Sequence, residues 1–139
     1  MVPEFNKYGN LPAGIYESSL TCIEKRFGLN SKKRISLFKN FHNFLELITP
    51  FKTNIKRLIL FGSFVTSKEN PEDIDCILII ENGFRFTSEI GDKIDCSKTL
   101  FNIDLILHEE KNVYQLQSWI NHFSKDKELK PKGLVEVIL

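Results

Sequence analysis

Two rhythms of apolar residues succeed one another along the chain. After an irregular opening through Leu11-Pro12-Ala13-Gly14, Leu20, Ile23 and Phe27 recur at three- and four-residue steps, which predicts a short helix. Ser18 or Ser19 can cap its start, and Gly28 is a natural stop. A longer helix follows from Asn30 or Ser31, with Ile35, Phe38, Phe41, His42, Leu45 and Ile48 along one face and Pro50 just past its end. The rhythm then shortens. Arg57 to Phe61, Ile74 to Ile80 and Ile103 to Leu107 are rich in β-branched residues and apolar at both alternating positions, as central strands covered by helices are. Glu81 to Leu100, with Gly83, Gly91 and several charges, reads as a surface excursion with little regular structure. Val113, Leu116, Trp119, Ile120 and Phe123 step as one helix face, and Leu134 to Leu139 reads as a last strand after Pro131-Lys132-Gly133. The expected fold class is α/β in the α+β sense, a mixed β-sheet packed against helices. Its core lies at about 55–108, with helices over 18–49 before it and a helix and strand over 112–139 behind it.

A length of 139 residues suits one domain, and 42% hydrophobic content with 12 Phe excludes a disordered chain. Charge changes the picture by what it removes. With 19 Lys+Arg against 18 Asp+Glu, no global field draws nucleic acid or anionic membrane, so a polyanion must be held by a local site. Cys22, Cys76 and Cys96 are an odd set without CxxC spacing, which fits reduced thiols and a cytoplasmic setting. The start Met-Val-Pro-Glu-Phe-Asn-Lys has no signal-peptide pattern. The longest apolar run, Cys76 to Ile80, falls far short of the roughly 20 residues of a membrane span.

Candidate chemistry is concentrated where strands end. Leu58-Ile59-Leu60-Phe61 runs into Gly62-Ser63, where a residue without Cβ lets backbone amides approach a phosphate and the Ser63 hydroxyl can donate to it. Asp73 and Asp75, two positions apart at the start of the next strand, share one face of it. Asp104 lies within Phe101-Asn102-Ile103-Asp104-Leu105-Ile106-Leu107, an apolar stretch in which a carboxylate requires a partner or a cation. Hard oxygen donors of this kind suit Mg²⁺ or Mn²⁺ with substrate phosphate completing the shell. Taken singly, Gly-Ser after a strand is usually a turn, Asp73 a loop cap, Asp75 a partner for lysine and Asp104 a strand-end residue. The order of all four carries the functional reading.

That order resembles the polymerase-β-like nucleotidyltransferase superfamily, whose signature is an apolar strand ending in Gly-Ser, then Asp-x-Asp, then a third Asp. Here the signature falls on Gly62, Ser63, Asp73, Asp75 and Asp104, with ten residues from Ser63 to Asp73 as in the small stand-alone, minimal branch. Leu11-Pro12-Ala13-Gly14-Ile15, Arg26-Phe27-Gly28, Gly62-Ser63-Phe64-Val65-Thr66 and Lys132-Gly133 are also similar to features of an uncharacterised prokaryotic family assigned to that fold. The resemblance implies a metal-dependent nucleotidyltransferase that transfers a nucleoside monophosphate from ATP or another nucleoside triphosphate to an RNA, protein or small-molecule acceptor. It implies that Asp73 and Asp75 ligate both metals, that Asp104 ligates the catalytic metal and helps deprotonate the acceptor, and that Ser63 holds the terminal phosphates. Small stand-alone members often belong to toxin–antitoxin or phage-defence modules, which implies a cognate toxin or antitoxin partner. After Ser63 this chain reads Phe64-Val65-Thr66-Ser67-Lys68, where many active relatives carry an Ala-Arg-Gly-like stretch. That departure supports the rival reading, an inactive fold serving as a protein-binding or nucleotide-sensing module.

The remaining candidates have plainer readings. Lys68 is a solvated loop lysine and Lys32-Lys33-Arg34 a solvated basic face. His108 meets solvent or backbone at a strand end, and His42 and His122 fall in helical patterns. Cys76 faces away from the Asp pair as core filling, and Trp119 anchors a core face.

Overall fold

A computed structural model describes residues 2–139. Its order is β1 (Ile15–Ser19), α1 (Leu20–Phe27), α2 (Lys32–Ile48), β2 (Ile55–Phe61), β3 (Ile74–Ile80), α3 (Ser88–Asp95), α4 (Ser97–Phe101), β4 (Ile103–Glu109), α5 (Val113–Phe123) and β5 (Leu134–Ile138). The Ser19 hydroxyl accepts from the Cys22 amide and caps α1, whose last turn carries Lys25 and Arg26 where cations suit the helix dipole. Ser31 caps α2 in the same way through the Arg34 amide. Short 3₁₀ turns over Thr49–Asn54, with Pro50 at their start, carry the chain into β2.

The five strands form one mixed sheet in the order β1-β5-β2-β3-β4. β1 runs parallel to β5 and β3 parallel to β4, while β2 is antiparallel to both of its neighbours. The mixed α/β class expected from the sequence is the one observed. Alternation divides the strands between two apolar layers. Leu58, Leu60, Cys76 and Leu78 join Phe27, Phe41 and Phe44 under α1 and α2. On the opposite face Ile59, Phe61, Ile77, Ile79 and Leu134 pack against Leu116, Trp119, Ile120 and Phe123 of α5.

Three expectations need correction. The irregular opening ends in a strand, β1, whose five residues pair in register with β5. The stretch 81–100 is largely helical: α3 and α4 pack Ile94 and Phe101 into the larger core, and Phe84 and Phe86 join the same layer. Ile35 and His42 are exposed on α2, and the face that packs is Arg34, Leu37, Phe38, Phe41, Phe44, Leu45 and Ile48. Among the described residues no helix is long and apolar enough to cross a membrane.

Candidate functional site

Register brings the acids together. Phe61 of β2 pairs with Asp75 of β3, and Asp75 pairs with Asp104 of β4, so Asp75 and Asp104 stand side by side on the α5 face of the sheet. Asp73, two positions earlier, lies just before β3 on the same side. Asp73, Asp75 and Asp104 each offer a carboxylate oxygen within 4.8 Å of the others. Asp104 is exposed, because β4 is the sheet's edge, whereas Asp73 and Asp75 are partly covered. The reading of Ile103 to Leu107 as a central strand is corrected by this, since β4 has a neighbour on one side only and leaves Asp104 open to solvent.

The electrostatics follow from this crowding. Burial, then the charges of Asp73 and Asp104, push the Asp75 pKa up to about 7 from the ordinary carboxylate range. Carboxylates held this close repel unless a cation joins them. Three oxygen donors on rigid strands, with one face open, fit a hard divalent ion that keeps part of its shell for water and phosphate. One cation of the chain already meets the acids: the Lys98 ammonium of α4 donates to Asp73 Oδ2, and this bond raises the lysine pKa.

Gly62 turns the chain directly above the acids. Its φ is +77°, a left-handed conformation, and a Cβ on it would collide with the Asp75 carboxylate. Glycine there is required by Asp75, a reason independent of any phosphate. Beyond it Ser63–Val65 form a 3₁₀ turn whose shape is fixed from underneath by Arg34. Arg34 is 2% exposed, and its guanidinium donates to the carbonyls of Phe27 (2.9 Å), Phe64 (2.7 Å), Thr66 (2.7 Å) and Lys68 (2.6 Å). Burial lowers its pKa, and these carbonyls receive its charge. Arg34 is thus no part of a solvated basic face, since it belongs to the buried stripe of α2.

From the acids a cleft of about 320 Å³ opens between Gly62, Asp75 and Asp104 on one wall and Phe123, Lys125 and Lys132 on the other. A second cavity of about 500 Å³ adjoins it, sharing Lys125 and Lys132 and adding Ser63, Thr66, Lys68 and Lys127. Asp75 and Asp104 thus share the first cleft with Lys125 and Lys132, and the second cavity adds Lys68 and Lys127. Asp126 and Glu128 also line the second cavity, but Asp126 is turned inward, accepting from the Glu128 and Lys130 amides and from Asn10 Nδ2. These bonds hold its carboxyl below the usual range and stiffen the 124–133 loop. Lys132 is partly covered, and desolvation lowers its pKa against the opposing pull of Asp126 and Asp75.

The lysines are set in place by the chain's opening residues. The Gly9 carbonyl accepts from the Ser67 amide, Asn10 Nδ2 donates to Asp126 and to the Pro131 carbonyl, and the Leu11 carbonyl accepts from the Gly133 amide. One irregular segment thereby ties the turn after Gly62 to the lysine loop. The sequence reading missed Lys98, Lys125 and Lys132 as site residues. Lys98 lies on the short α4 and Lys125 and Lys132 in the loop before β5, where lysines carry no spacing signal, and of the three only Lys132, through Lys132-Gly133, enters the sequence reading.

Other candidates fall where their plainer readings put them. Cys76 is fully buried on the face away from the acids, and burial pushes its thiol pKa up. His108 is buried with Nε2 2.8 Å from the Asn112 carbonyl oxygen. Trp119 stacks on Phe123 (5.6 Å between centroids), which stacks on Phe61 (3.8 Å). His42 and His122 lie on α2 and α5, exposed.

Residues 3–138 match the model of a family of unknown function (DUF6932), and the chain belongs to that family. No curated protein and no solved structure matches it.

Proposed function

We propose that this member of the family of unknown function binds a nucleoside triphosphate through Mg²⁺ or Mn²⁺ and transfers its nucleoside monophosphate to an acceptor. The observation that carries this reading is the convergence of Asp73, Asp75 and Asp104 within 4.8 Å at a cleft that Lys125 and Lys132 also line. Asp73 and Asp75 would hold metal, with Asp104 completing the set. The ion's part is to neutralise charge on the transferring phosphoryl group and align the reacting oxygens.

The chain's own groups supply the rest. Gly62 and Ser63 border the passage between the two cavities, where the Ser63 hydroxyl can donate to a phosphate oxygen. Lys125 and Lys132, with Lys68 beyond them, offset the charge of the pyrophosphate end. An acceptor hydroxyl attacks the α-phosphorus, the bond from that phosphorus to the bridging oxygen breaks, and pyrophosphate leaves. The hydroxyl proton passes to Asp104, the most exposed of the acids and the one an acceptor reaches from the sheet edge. RNA, protein and small-molecule acceptors all supply such a hydroxyl.

A second reading has its own observation. Phe64 and Val65 are fully buried, so the turn after Ser63 offers the cleft no basic side chain until Lys68. An inactive module that binds a nucleotide, or a toxin or antitoxin partner, is compatible with that turn. Purified protein incubated with labelled triphosphates, Mg²⁺ or Mn²⁺ and pooled RNA and protein acceptors separates the two. The account expects transferred label that disappears with Asp75→Asn. Tight triphosphate binding with no transfer to any acceptor would favour the inactive module.

A further inference from the structure

Lys98 is no ordinary surface lysine, because the segment that carries it is fastened to the acids it meets. α4 ends at Asn102, a left-handed residue (φ 55°) whose carbonyl accepts from the Ile74 amide and whose Nδ2 donates to the Glu72 carbonyl at 2.7 Å. At the other end of α4 the buried Ser97 hydroxyl donates to the Ile103 carbonyl at 3.1 Å. Both anchors flank the acid-bearing stretches, Glu72 to Ile74 on one side and Ile103 on the other. The ammonium is thereby delivered onto Asp73 beside Asp75 and Asp104, while the lysine side chain stays 58% exposed. Lys125 and Lys132 line the cleft on its other wall, so Lys98 is the cation bonded to the acids themselves.

We propose that Lys98 is a built-in counter-ion that holds Asp73 until a divalent ion displaces it. This inference rests on the metal-binding reading of the site. A carboxylate oxygen that accepts from an ammonium is not free to ligate, so metal binding and the Lys98–Asp73 pair exclude one another at that oxygen. Exchange requires no movement of the strands: the lysine, whose side chain is more than half exposed, swings out into solvent. In this scheme the acid cluster has two cationic states, the ammonium state at low metal and the ligated state at high metal. Lys98 is a positioning residue in this scheme, setting the metal concentration at which the site fills.

Calorimetric titration of the metal-free protein with Mn²⁺ alone tests this, comparing wild type with Lys98→Met and Lys98→Arg. Methionine keeps the apolar stem and removes the competing charge, so Mn²⁺ affinity rises roughly fivefold, the size expected for loss of a part-exposed ion pair. Arginine keeps the competitor, and its affinity stays at or below wild type. In parallel the melting temperature of metal-free Lys98→Met falls, and saturating Mn²⁺ restores it to that of the metal-bound wild type. If wild type binds Mn²⁺ and Lys98→Met binds it no more tightly, Lys98 does not compete and the counter-ion role is overturned while the metal site stands. If none of the three proteins binds Mn²⁺, the metal site itself falls, and the counter-ion role with it.

Discussion

Asp75 concentrates the tension of the site in one side chain. Its folded pKa of about 7 lies above the ordinary 3.8 of the unfolded chain, so the folded protein holds a proton more tightly than the unfolded one. That contribution to stability is fully present below the unfolded pKa and is lost as pH rises through about 7. Metal-free wild type should therefore melt lower at pH 8 than at pH 5.5, apart from the response of other groups. Asp75→Asn, nearly equal in volume, removes the repelling charge. At pH 8 without metal it should melt at or above wild type, by a few degrees at most, and differential scanning calorimetry across that pH range checks it. A variant that melts lower at every pH would show Asp75 to be a structural ion-pair partner. At this scale the sequence was informative about the acids, because strand parity and the Gly-Ser turn are local patterns. It was silent about Lys98, Lys125 and Lys132, whose meaning comes from where α4 and the loop before β5 bring them.

Among the elements, α2 shows how a helix face can be misplaced by one step. Ile35 and His42 attract attention as an apolar start and an interesting side chain, yet both are exposed. The packed stripe passes through Leu37 and Phe44 and begins at Arg34, which obeys the three- and four-residue spacing but not the expected chemistry. An arginine on an apolar stripe signals a cluster of carbonyls needing donors, here those of the turn after Gly62. Arg34→Met should cost about 3 kcal/mol or more in urea unfolding, since several buried carbonyls lose their donors at once. Arg34→Lys should recover only part, because an ammonium cannot span the fork of acceptors. Loss of less than about 1 kcal/mol in the methionine variant would mean water satisfies those carbonyls equally well. β1, α3 and α4 escaped notice for a related reason. β1 is an edge strand of five residues, Ile15-Tyr16-Glu17-Ser18-Ser19, with little apolar content, and its identity is set by pairing with β5 at the far end of the chain. α3 and α4 are short, and their glycine and charges mask the few positions, Ile94 and Phe101 among them, that face the core.

Across the whole molecule, the site is assembled from segments that the chain's order keeps apart. The acids come from β3, the residue just before it and β4, the turn at Gly62 from the end of β2, Lys125 and Lys132 from the loop before β5, and the opening residues Gly9, Asn10 and Leu11 fasten that loop to the turn. A net charge of +1 hides this arrangement, since acids and lysines face one another around a single cleft. The sequence pointed to a mixed sheet and to one wall of the cleft; the other wall exists only once the strands are paired. Such a cleft suits a ligand that is itself a chain of anions joined to metal, since an unaccompanied anion would meet repulsion from the three acids. The most direct test is calorimetric titration of the protein with ATP in the presence of Mn²⁺ and again with excess EDTA. The account predicts binding with Mn²⁺, weakened by Lys132→Met, and no measurable binding in EDTA. Equal ATP affinity with and without the chelator would contradict it.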